Sequence, residues 1–176
     1  MLRLAFSIPI SYALAAGLAL LFPAWPSARK RAALAISAGW AFFASLALGK
    51  IAISGELPLP MKAGLPWLED WLLRSGPLFY LDGLTIAVLV LLCGLHLAGA
   101  LHALSRSDKA QSLPPHAAAL SMALLSAAAL SSSLPWTIAF LCAADACAFV
   151  SERPSYAKFI GLLLPCLPAA LAAFVI

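Results

Sequence analysis

From Leu81 to Leu104 the sequence runs the length of a membrane span with a single charged side chain, Asp82, at its very start. The hydrocarbon core of a bilayer is about 30 Å thick, and about 20 apolar residues of helix cross it. Lipid offers no partner to backbone N–H and C=O groups, so a segment like this satisfies them internally, as a helix. The pattern recurs along the chain. Apolar stretches cover Leu4 to Phe22, Ala32 to Ile53, His116 to Leu134, Pro135 to Val150 and Lys158 to Ile176. The expectation is an all-α, polytopic helical membrane protein of about six spans, forming one transmembrane domain over residues 1–176.

Composition excludes the main alternatives. Of the 176 residues, 64% are hydrophobic and 10% charged, against roughly 25% charged in an average soluble domain. So few charges cannot clothe a water-soluble surface of this size. A soluble enzyme, a nucleic-acid module and a disordered chain are all excluded. The apolar runs are unbroken rather than alternating, which argues against a β-barrel.

The boundaries follow from proline and serine. Pro23 and Pro26 stop the first span. Ser131-Ser132-Ser133-Leu134-Pro135 separates the fourth from the fifth, since proline ends one helix and suits the first turn of the next. The first stretch is longer than the apolar core of a signal peptide and lacks a clean small-x-small site after it, so it reads as a retained helix. Residues 54–80 form a long, proline-rich connector. Within it, Trp67, Leu68, Trp71 and Leu72 recur at helical spacing, which suggests a short amphipathic helix lying at the interface.

The lysines and arginines give an orientation. With the N-terminus outside, the inner loops hold Arg29, Lys30, Arg31, Arg106, Lys109, Arg153 and Lys158, and the outer side holds Arg3, Lys50, Lys62 and Arg74. The excess on the inner side predicts an outside N-terminus and an outer connector. The net charge of +4 thus encodes topology and implies no nucleic-acid partner.

Chemistry-bearing motifs are scarce. There is no phosphate-binding glycine loop, no HExxH, no CxxC and no nucleophile elbow. No cofactor and no metal site is expected. Cys93, Cys142, Cys147 and Cys166 all lie in apolar stretches and read as small packing residues. Asp145, two-thirds along the fifth span, stands out. A carboxylate in hydrocarbon costs several kcal/mol unless paired, hydrated or protonated, and such residues mark proton or ion routes. The competing reading is a hydrogen bond to a neighbouring helix that serves assembly. His96, deep in the third span, is a candidate proton relay or a histidine bonded to a neighbouring helix. His102, six residues on, falls on a different face, so the two do not form a metal pair. Asp82 fits a helix cap, and Lys50 and Lys158 can snorkel to the interface.

The segment Phe79-Tyr80-Leu81-Asp82-Gly83-Leu84-Thr85, opening a long apolar helix after a proline-rich connector, resembles the start of the third helix in antiporter-like membrane subunits. These belong to proton-pumping NADH:quinone oxidoreductase, membrane-bound hydrogenases and multisubunit Na⁺/H⁺ antiporters. The resemblance covers Ile36 to Ile176 and corresponds to the N-terminal part of the longer family members. It implies an integral protein of a bacterial inner (plasma) membrane that works with other membrane subunits on protons or sodium ions. Asp145 falls where the family places a buried proton-transferring glutamate. Ala157-Lys158-Phe159 resembles the opening of the family's sixth helix. On this reading Asp145 is the proton carrier, and Lys158 and His96 modulate it. A non-catalytic scaffold of such a complex and an unrelated small membrane transporter remain as alternatives.

Overall fold

The computed structural model describes residues 2–55, 61–63, 79–105, 114–131 and 134–151. The expected sixth span, Lys158, Cys166 and the amphipathic segment around Trp67 lie outside these residues. Among the described residues there are five helices: α1 (Leu2–Leu21), α2 (Ser27–Ile53), α3 (Gly83–Ser105), α4 (Pro115–Leu130) and α5 (Leu134–Ser151). Two short strands, β1 (Met61–Ala63) and β2 (Phe79–Leu81), complete the set. Three helices, α1 to α3, are long and apolar enough to cross a membrane. The 16 residues of α4 span only about 24 Å at 1.5 Å per residue.

Local chemistry sets the helix ends. Pro9 lies inside α1 and removes one backbone donor. The Ser7 and Ser11 hydroxyls on either side donate to the Leu4 and Ile8 carbonyls at 2.7 and 2.8 Å. α1 stops before Pro23, where Phe22 and Trp25 stack at 4.8 Å. Pro26, with extended ψ of 144°, launches α2, so Arg29, Lys30 and Arg31 sit inside the helix rather than ahead of it as the sequence suggested. Their long stems allow this: Lys30 Nζ reaches back to the Pro23 carbonyl at 3.0 Å. At the other end of α2, Gly55 takes a φ of 74°, the left-handed conformation that closes a helix and that glycine adopts without a Cβ penalty. Pro115 occupies the first turn of α4, where its missing N–H is no loss.

The described residues are mostly helical, as expected, and the two short strands add a detail that the sequence did not suggest. β1 and β2 pair antiparallel, with Met61 opposite Leu81, Lys62 opposite Tyr80 and Ala63 opposite Phe79. Phe79 also bridges to Ser131, just past α4, and its ring meets Phe6 edge-on at 4.9 Å. Three-residue strands in a proline-rich connector carry too little periodicity to be read from sequence. Their pairing satisfies backbone N–H and C=O groups of both segments.

The helices alternate in direction. The starts of α1, α3 and α5 and the ends of α2 and α4 all gather near the ribbon. α2 packs on α3 and on α1, α1 packs on α4, and α4 on α5. The break at Ser131 is therefore real: α5 folds back on α4.

The core is built from small residues. Ala5, Ala16, Ala38, Ala41, Ala119 and Ala123 are buried, while Leu21, Ile36, Phe43, Leu91 and Leu95 point outward. Water would reverse this order. In lipid, large apolar side chains outside lose nothing, and alanines between helices let backbones approach closely. The approach is tightest at Gly94, where an added Cβ would sit 3.2 Å from the Phe42 ring.

A candidate polar site within the bundle

Four polar side chains meet where α1, α2 and α3 come together. Tyr12 is fully buried on α1, Ser45 on α2 and Cys93 on α3. His96, one turn beyond Cys93, is half-buried. Its Nδ1 lies 3.1 Å from the Tyr12 hydroxyl, and the two rings stand edge to face with centroids 5.0 Å apart. The Cys93 thiol sits beside both the Tyr12 and Ser45 hydroxyls. The Ser45 hydroxyl donates to the Phe42 carbonyl at 2.7 Å, so Ser45 enters the cluster only as an acceptor.

Helical spacing explains the convergence. Cys93 and His96 are three residues apart and share a face. Tyr12 lies ten residues into α1, and Cys93 ten residues into α3 from the same end. At 1.5 Å per residue each lies about 15 Å from that end of its helix, near the middle of a helix long enough to span a bilayer. A tyrosine–histidine pair at this position holds a hydrogen bond whose polarity follows the histidine tautomer. With Nδ1 bare, the phenol donates; with Nδ1 protonated, the phenol oxygen accepts. Such a pair can accept a proton on one side and release one on the other.

The other sequence candidates fall elsewhere. Asp145 lies on α5 and is exposed, whereas its neighbour Ala144 is buried. α5 packs chiefly on α4, so the carboxyl group lies away from the α1–α2–α3 cluster. Among the described residues no hydrogen bond or ion pair joins Asp145 to His96. Lys158 lies outside the described residues. Asp82 caps α3: its Oδ1 accepts from the Thr85 backbone N–H at 2.7 Å. These bonds to Thr85 hold its carboxyl below the ordinary value of 3.8. Among the described residues no group of three or more metal-ligating side chains occurs.

Tyr12 and Ser45 were not singled out from the sequence. A signal for Tyr12 existed, because membrane tyrosines concentrate at the interfaces and Tyr12 lies mid-span. Nothing comparable marks Ser45, one of many serines.

Comparison with protein-family models, with curated proteins and with solved structures returns no match.

Proposed function

We propose that the chain is an antiporter-like integral membrane subunit of a proton- or cation-translocating, respiratory-type complex, with its N-terminus outside. The observation that carries this reading is the Tyr12–His96 pair, a titratable hydrogen-bonded couple held midway along α1 and α3 in a mostly apolar bundle. Ionisable residues in such positions mark proton routes by default. The capped start of α3 at Asp82 adds support, since it is the segment that resembles the antiporter-like subunits.

Asp145 is the carrier in this scheme. A cation brought beside a carboxyl group in hydrocarbon favours its charged form, and withdrawal of the cation favours the protonated form. Asp145 is exposed on α5, so a helix of another subunit can approach its carboxyl group, and Lys158 is the modulating cation that the resemblance implies. His96 and Tyr12 act at a separate point of the bundle.

The same exposure favours a second reading, a scaffold subunit in which Asp145 bonds a partner helix and no proton moves through this chain. Asp145→Asn in the intact complex separates the two. Lost proton-linked activity with normal assembly, restored by Asp145→Glu, supports translocation. Lost assembly alone leaves the scaffold. A normal complex with normal activity defeats both.

A further inference from the structure

A groove of about 810 Å³ opens between α2 and α3 near the ribbon. Its walls are apolar, formed by Leu46, Ile53, Ile86, Val90 and Leu91, with Gly49 and Gly83 leaving space between the helices. Among the described residues one charged side chain lines it, Lys50. Lys50 is exposed in the last turn of α2, one turn from the helix end and so at the level of lipid headgroups.

We propose that this groove binds an anionic phospholipid, with an acyl chain along the α2–α3 seam and the headgroup phosphate on the Lys50 ammonium. Three observations select this occupant. The walls are apolar and lie on helices long enough to span a bilayer, so hydrocarbon reaches them. The seam runs with the helix axes, as an acyl chain does. The charge is at the mouth and positive, which favours a headgroup of net negative charge over a neutral or zwitterionic one, whose phosphate is offset by its own cation. A polybasic surface is not required, because the groove fixes the lipid and the single lysine selects its charge.

The test uses the full chain purified in mild detergent and titrated with phosphatidylglycerol or phosphatidylcholine, read by thermal unfolding and by native mass spectrometry. The wild-type chain is expected to prefer phosphatidylglycerol about fivefold, the factor that one interfacial lysine supplies. Lys50→Gln abolishes the preference while retaining residual binding of both lipids. Ala87→Trp, at an exposed groove position, keeps the lysine but fills the seam and reduces binding of both. Arg29→Gln, at the far end of α2, leaves the preference intact and so controls for general charge attraction. Circular dichroism confirms that each variant is helical. Equal binding of the two lipids by the wild-type chain overturns the proposal. So does a preference that survives Lys50→Gln, or one that Arg29→Gln removes equally.

Discussion

The Tyr12 hydroxyl and His96 Nδ1 lie 3.1 Å apart and join two helices that are separated by α2 in the chain. Hydrogen bonds between membrane helices contribute about 0.6 kcal/mol on average and about 1.7 kcal/mol at most. Tyr12→Phe and His96→Leu should each destabilise the bundle within that range. The double variant should lose less than the sum of the two, because removing one partner already breaks the bond. Reversible unfolding in mixed micelles measures all three, and full additivity would show that the pair is uncoupled.

Asp82 gives a pH signature at the start of α3. Its carboxyl is held below 3.8 by Thr85, so the folded form binds protons less readily than the unfolded chain. The cap therefore contributes fully above about pH 4 and is lost as pH falls through the lower folded value. Asp82→Ala should remove about 1 kcal/mol at neutral pH. Asp82→Asn should retain most of that and flatten the acid limb of the stability profile.

Gly94 sets the distance between α2 and α3. An alanine there would meet Phe42 at 3.2 Å, so the ring has to yield by a few tenths of an ångström, and Gly94→Ala should be mild. Gly94→Leu cannot be absorbed this way and should destabilise by about 1–3 kcal/mol, the range for overpacked cores. If both variants melt alike with the wild type, the helices are not in contact at this point.

Asp145 is exposed on α5, within reach of reagents dissolved in lipid. A hydrophobic carbodiimide partitions into lipid, adds to carboxyl groups it can reach there and leaves a stable N-acylurea. Asp145 should be modified in the isolated subunit, while Asp82, ionised and hydrogen-bonded to Thr85, resists. Peptide mass mapping locates the adduct. Protection of Asp145 in the intact complex would identify the surface that a partner covers.

Sequence and structure agree where a single physical cause dominates. Long apolar runs have only one way to satisfy their backbones, so α1, α2 and α3 were legible, as was the break at Ser131. The start of α2 was misplaced because a basic run reads as a loop, and only the reach of Lys30 to the Pro23 carbonyl shows that it can be helix. The ribbon was hidden because its strands are three residues long and lie eighteen positions apart, from Met61 to Phe79. For the site, His96 was legible as a polar residue at depth. Its partner was not, since nothing in the local sequence links Tyr12 to a residue 84 positions away. Asp145 was visible as an acid within a span, but its outward position depends on which face of α5 meets α4.

The ribbon also gives one end of the bundle a clasp shared by several helices. At one end β1, β2 and Ser131 tie the leads into α3 and α5 together, and Phe6 locks α1 to the same knot. At the other end, the α1–α2 turn is held by the Lys30 bond to the Pro23 carbonyl. A substitution that loosened Phe79 would undo that clasp at α1, α3 and the lead into α5 at once, even though Phe79 touches none of the polar residues at the centre.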